Sequence, residues 1–278
     1  MKDQAYGLRL LQKPEAPKRA SSPVSARRVI AVTSGKGGVG KTNLVANVAV
    51  ALAAQGASVL VLDGDLSLGN LDVLLGVQPV RTLADVVAGK ARLDEVIYEG
   101  LGGVRVIPAA MGLQEMTRLD HETRQRLCDD ILNLAVNGTI LLVDTGAGVS
   151  DNVIDFVLNA AEAILVTSRE PTAIIDAYAV VKILHNRGYE GDIRLVVNMV
   201  DSAEEARWVF DRLHGVVERH LDGKLQYLGP VLRDPRVARS VCQQMPVILE
   251  KPNSPAARCF GRLAARLIER RHLKARKP

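Results

Sequence analysis

The sequence predicts an α/β fold, a doubly wound and mostly parallel sheet flanked by helices, on three observations. Short apolar runs alternate with longer helical patterns. The runs are apolar almost throughout rather than at every second residue, which marks strands covered on both faces. Between the first run and the first helical pattern lies a glycine-rich turn, SGKGGVGKTN. In order, the elements are VIAVT (29–33), a helix from Thr42, SVLVLD (58–63), VRVIP (104–108) and a helix around 114–136. There follow TILLVD (139–144), AILVTS (163–168), a helix from about 172, IRLVVN (193–198), a helix near 203–221, and LQYLGPVL (225–232). No repeat of solenoid period is visible.

With 278 residues and 47% apolar composition, the chain has material for one large α/β domain with appendages. Aromatic residues make up only 3%, which argues against base-stacking platforms for single-stranded nucleic acid. Cys128, Cys242 and Cys259 stand far apart without a C-x-x-C, so neither a disulfide framework nor a metal centre held by this chain alone is expected. No apolar run approaches the ~18 residues of a membrane span and no signal-peptide block opens the chain, so a cytoplasmic location is expected. Charge is unevenly distributed. Residues 1–28 carry seven Lys/Arg against two acids and residues 258–278 carry eight against one, leaving the middle acidic in a chain of net charge +5. Two basic ends on an acidic body point to an anionic partner such as lipid headgroups, acidic proteins or nucleic acid.

The expected organisation is a helix-like peptide over 1–12, a Pro-rich flexible linker over 13–28, a folded domain over 29–254 and a basic amphipathic helix over 255–278. Inside the domain, Gly35, Gly40, Lys41 and Thr42 fit G-x-x-x-x-G-K-[ST] between a strand and a helix, the setting that the phosphate loop requires. Backbone N–H groups of Gly35, Lys36, Gly37, Gly38, Val39 and Gly40 would wrap phosphates, Lys41 would neutralise β/γ oxygens, and Thr42 would ligate Mg²⁺. A second cation inside the loop, Lys36, is costly without an anion and points to a role at the γ-phosphate. Asp63, Asp65 and Asp144 end strands on the side where ligands bind in open α/β sheets. Asp144 suits the Mg²⁺ shell, and one of Asp63 and Asp65 would orient the attacking water. The stretch NMVD (198–201) imitates the N-K-x-D motif that reads guanine, with Met199 in place of the lysine. Asp201 retains the carboxylate, so this stretch by itself leaves GTP open.

The lysine-bearing loop resembles the deviant Walker A motif of the MinD/ParA ATPases. LDGDLSLGNLDVLLGV, RTLADVVAG, VRVIPAA and REPTAIIDAYAVVK resemble the narrower FlhG branch, also called FleN, over about residues 28 to 250. The resemblance implies a MinD-like P-loop NTPase fold, ATP and Mg²⁺ as ligands, a homodimer that sandwiches ATP face to face, and control of flagellar number or placement. It assigns Lys36 to the partner subunit's phosphates, Asp65 to the hydrolytic water and Asp144 to the Walker B position, with Asp63 on the metal side beside Thr42. Asn198 would lie against adenine, with Arg233 and Asp234 nearby. Gly146 departs from the pattern, since MinD-like relatives often carry Pro there. The alternatives are a ParA-like DNA-segregation ATPase, and an anti-activator that binds a flagellar transcription regulator such as FleQ.

Both ends carry helical stripes. Over 257–273, Phe260, Leu263, Ala264, Leu267 and Ile268 share one face while Arg258, Arg262, Arg266 and Arg270 occupy others. Such a helix lies in an anionic membrane interface or packs its stripe on the domain. The resemblance implies docking in one nucleotide state and release of Phe260, Leu263, Leu267 and Ile268 to the inner face of the plasma membrane in another. At the other end, Ala5, Leu8 and Leu11 share a stripe in a peptide too short, and weakened by Gly7, to be a stable helix alone, so a partner's groove would order it. Asp3, Gln4, Ala5, Leu8 and Arg9 match the family's D-Q-A-x-x-L-R activator element. The resemblance implies that this element stimulates FlhF, a signal-recognition-type GTPase, with Gln4 ordering its site, and that flagellar switch or C-ring proteins are further partners.

Overall fold

The computed structural model describes residues 27–65, 69–108, 121–135, 138–221 and 223–274. The activator peptide with Asp3, Gln4, Ala5, Leu8 and Arg9, nearly all of the 13–28 linker, and part of the helix expected around 114–136 lie outside them.

The chain runs β1 (Arg28–Ser34), α1 (Lys41–Ala54), β2 (Val59–Gly64), α2 (Leu71–Leu74), α3 (Leu83–Val87), β3 (Tyr98–Glu99), β4 (Arg105–Ile107), α4 (His121–Asn133), β5 (Ile140–Ala147) and α5 (Asp151–Leu158). It continues through β6 (Glu162–Ser168), α6 (Pro171–Asn186), β7 (Asp192–Val200), α7 (Ala203–Leu221), β8 (Leu225–Leu232), α8 (Pro235–Cys242), α9 (Val247–Glu250) and α10 (Pro255–Lys274). All eight strands form one sheet in the order β3-β4-β2-β5-β1-β6-β7-β8. Every neighbouring pair is parallel except β3 with β4. The two-residue antiparallel β3 carries no apolar run of its own and was not foreseen. As the sequence predicts, the fold is a doubly wound α/β sheet.

Strand alternation divides the core into two layers. Val29 and Ala31 of β1, with Leu141 and Val143 of β5, face one side; Ile30 and Val32, with Ile140 and Leu142, face the other. The first layer is closed by α4, α5, α6 and α7, the second by α1, α9 and α10. Because β1 lies between β5 and β6, the turn after it sits where the strand order reverses, the position at which open α/β sheets bind ligands.

The C-terminal helix is docked here, one of the two settings that its stripe allows. Phe260, Leu263 and Leu267 are 2%, 1% and 0% exposed in the second layer, and Ile268 packs against it. The cause lies in α1, whose run KTNLVANVAVALAA is apolar nearly all round, with ten residues buried. A helix of that kind needs cover on both sides, and α10 packs on α1 and β8 to provide it. Polar ties reinforce the dock: Arg28 Nη2 donates to the Leu267 carbonyl at 2.5 Å and Gln55 Nε2 to the Gly261 carbonyl at 3.2 Å, while Arg266 donates to the Leu228 carbonyl. Residues from 255 are therefore the last layer of the domain that begins at Arg28, not an appendage to it. Among the described residues no helix is long and apolar enough to cross a membrane.

Candidate nucleotide-binding site

Ser34 ends β1, and the loop to α1 passes hard against helix α6. A Cβ on Gly35 would lie 2.2 Å from the Asp176 carbonyl oxygen, so only glycine fits there. Gly38 and Gly40 have φ of 79° and 83°, in the left-handed region where a side chain is strained. Gly40 forms the N-cap of α1 and no side chain caps the helix, so its first-turn N–H groups are left for an anion. The loop is held from outside by Asn198 Nδ2, which donates to the Val39 carbonyl at 2.8 Å. Val39 itself is buried, whereas Gly37 and Gly38 are open to solvent.

Behind the loop, Lys41 Nζ lies 2.7 Å from Asp144 Oδ1, with the two side chains 7% and 0% exposed. Burial pushes the Asp144 carboxyl up, while the Lys41 ammonium and the Thr42 hydroxyl pull it back down. Its second oxygen, Oδ2, is buried and has no hydrogen-bond partner among the described residues. An orphaned carboxylate oxygen beside a hydroxyl fits a hard cation that completes its shell with phosphate oxygens and water, which is how Mg²⁺ is usually held. Asp63 stands opposite Asp144 in the β2–β5 register. Its carboxylate accepts from the Asp65 and Leu71 N–H groups, both at 3.1 Å. Burial, and then the neighbouring Asp144, raise its pKa to about 7. With both oxygens occupied by backbone, Asp63 orders the β2–α2 turn and is less suited to the metal than Asp144. Asp65 projects next to Gly146, where an added Cβ would lie 3.8 Å from Asp65 Oδ1. The β5 loop that carries Gly146 is fastened to β1 by Thr145 Oγ1, which donates to the Val32 carbonyl at 3.0 Å, and by the Gly148 N–H, which donates to Ser34 at 2.8 Å.

Lys36 does not point at the phosphate cradle. Its Nζ donates to Glu170 Oε2 at 2.5 Å and to Thr172 Oγ1 at 3.1 Å, at the start of α6. That pairing pulls the Glu170 carboxyl down from its ordinary value. Neither Glu170 nor Thr172 was singled out from sequence, although the unpaired cation in the loop was a signal that an anion must lie near. Of the residues expected near adenine, Asn198 touches the loop, and Arg233 is turned to Asp201, with Nε 3.3 Å from Oδ1. Asp234 is bound into the fold. Its Oδ1 accepts from Arg236 N at 3.1 Å and Arg236 Nε at 2.8 Å, and its Oδ2 accepts from Ala256 N at 3.3 Å. It caps α8 and ties α10, so both carboxylate oxygens are engaged by protein groups.

A glycine loop at the switch point, a buried lysine on the following helix and an acid-ended strand beside it together define a P-loop NTPase. A family model described as ParA, "NUBPL iron-transfer P-loop NTPase", matches residues 25–268. The antiactivator FleN of Pseudomonas aeruginosa is 44% identical over 240 residues, 86% of each chain. The flagellum site-determining protein YlxH of Helicobacter pylori is 32% identical over 272 residues, 97% of this chain and 92% of that one. The septum site-determining protein MinD of Pyrococcus horikoshii, solved with Mg-ADP, superposes with a TM-score of 0.71 at 31% identity, covering 90% of this chain and 99% of the other. The chain belongs to the ParA/MinD family of P-loop NTPases and, within it, to the FlhG/FleN branch.

Proposed function

We propose that the chain is an ATP-hydrolysing switch that dimerises on ATP and sets the number or placement of bacterial flagella. The observation that carries this is the pair of loop lysines in their different settings. Lys41 is fixed inside the site against Asp144, whereas Lys36 sits at its rim, 38% exposed and held, among the described residues, by Glu170 and Thr172. A cation so placed is free to swing to phosphates presented by a second copy. In this reading Gly35 to Thr42 bind the phosphates, and Lys41 and the first-turn N–H groups of α1 hold the β/γ oxygens. Thr42 and Asp144 would hold Mg²⁺, which when bound screens phosphate charge. Asp65 orients the attacking water, and Asn198 keeps the loop in place beneath the base. Light scattering and phosphate release test the scheme on the full chain. Lys41→Ala should abolish nucleotide binding, Lys36→Ala should bind ATP as a monomer, and Asp65→Ala should dimerise on ATP while turning over at least tenfold more slowly. A monomeric wild type at saturating Mg-ATP would sink the switch.

The relatives named antiactivator and site-determining protein support the flagellar role. The first also favours a second reading, in which the ATP-bound chain restrains a flagellar transcription regulator of FleQ type and hydrolysis only times the restraint. Nucleotide-dependent capture of such a regulator that survives Asp65→Ala would single that reading out. For the N-terminal peptide we propose stimulation of an FlhF-type GTPase through Gln4. Peptide 1–20 should accelerate that GTPase, and Gln4→Ala should remove the acceleration. Reversible attachment to an anionic membrane, on the same terms, would follow release of the α10 stripe, Phe260, Leu263, Leu267 and Ile268, from its dock, with the exposed Arg258 and Arg262 meeting lipid headgroups; deletion of residues 255–278 should abolish ATP-dependent liposome binding.

A further inference from the structure

The N-x-x-D stretch at the end of β7 is anchored as a base-reading element would be, yet its carboxylate is closed off. Asn198, 7% exposed, fastens the stretch to the phosphate loop, and Asp201 follows three residues on at the mouth of the site. An unengaged carboxylate there accepts two hydrogen bonds from the N1–H and N2–H edge of guanine. Adenine offers no such pair of donors. In this structure both oxygens are taken. Arg169 Nη1 lies 2.6 Å from Oδ2, and Arg233 Nε lies 3.3 Å from Oδ1. Glu205 completes the arrangement: its Oε2 accepts from the Asp201 N–H at 2.8 Å and its Oε1 lies 3.1 Å from Arg169 Nη1. Arg233 Nη2 also reaches the carbonyl of Met199, the residue that stands where a guanine-reading stretch carries lysine.

Three loops, after β6, β7 and β8, thus converge on one carboxylate. Exposed ion pairs contribute little to stability, and all three side chains here are more than 40% exposed, so holding the fold does not account for them. We propose that Arg169 and Arg233 are specificity residues of the nucleotide site, occupying Asp201 so that it cannot read guanine. A guanine base would have to displace two charge-assisted hydrogen bonds to gain its own, whereas adenine needs nothing from Asp201. The inference rests on the nucleotide-binding reading above and adds a reason for the choice of base.

The test titrates fluorescent ATP and GTP analogues, with Mg²⁺, into the full chain and into an Arg169→Gln, Arg233→Gln double variant. The wild type is expected to favour ATP, and the double variant to narrow that preference about tenfold by gaining GTP affinity. Arg233→Gln alone, which frees only Oδ1, should fall between them. Adding Asp201→Asn to the double variant should pass the gain from GTP to XTP, whose C2 carbonyl accepts from an amide. A double variant that binds ATP with an unchanged preference, or one whose preference narrows only through lost ATP affinity, would overturn the proposal. A wild type that binds neither nucleotide would overturn the nucleotide reading itself, and this inference with it.

Discussion

Asp63 and Asp144 face each other across two central strands, and neither carboxyl is at ease there. Burial first, then the Asp144 charge, lift the Asp63 pKa from 3.8 to about 7. Between those values the folded metal-free chain keeps a proton that the unfolded chain has released. Stability should therefore fall as pH rises through that window and level off above it, by an amount on the order of 4 kcal/mol at most. Urea unfolding at pH 5 and pH 8 in a chelator measures the slope, and Asp63→Asn should flatten it; a slope left intact in that variant would place the cause elsewhere. The Lys36–Glu170 pair behaves differently because it lies at the rim of the site, with Glu170 60% and Lys36 38% exposed. Glu170→Gln should leave the urea midpoint almost unchanged, while lowering the ATP concentration at which half the chain is dimeric in light scattering.

At the scale of elements, α10 is the informative case. Its stripe reads equally well as lipid-facing or core-facing, since periodicity reports that a face is apolar and not what covers it. The partner that settles the matter is α1, more than two hundred residues earlier. If the dock is structural, Phe260→Ala should cost about 3–5 kcal/mol and Leu267→Ala about 2–5 kcal/mol in urea unfolding, values expected for core residues. Losses below ~1 kcal/mol would mean that the helix is loosely held. Beneath it, Glu162 lies between two arginines, 3.3 Å from Arg28 Nε and 3.1 Å from Arg194 Nη2, all largely buried. Glu162→Gln removes the anion shared by two arginines in a largely buried setting and should cost roughly 3 kcal/mol, with Arg28 losing a partner that helps orient it toward the Leu267 carbonyl.

For the whole molecule, the C-terminal helix and the nucleotide loop are two ends of one construction. The loop opens α1 and α10 covers α1, so the domain should not survive truncation after residue 254. That variant is expected to be insoluble or to unfold without a cooperative transition. A cooperative melt in the shorter chain would show that 28–254 folds alone. The strand order gives the same result from the other side: β1 joins β5 to β6, and the groups of the candidate site lie at the C-terminal ends of β2, β5 and β7 or on the loop and helix that follow β1. The seven long apolar runs all became strands, and α7 took the limits that its pattern predicts.

The sequence by itself determined the α/β class, the phosphate loop and the acids that end β2 and β5. These are local properties: a run of apolar residues, a glycine spacing, a carboxylate where a strand stops. Only the tertiary structure decided that Lys36 pairs with Glu170, that Asp234 serves the fold, that Asp201 is enclosed by Arg169 and Arg233, and that the α10 stripe is core. Each of those depends on which loops and helices meet in space. Sheet order and the packing of one apolar face on another set that, over separations that no local pattern encodes.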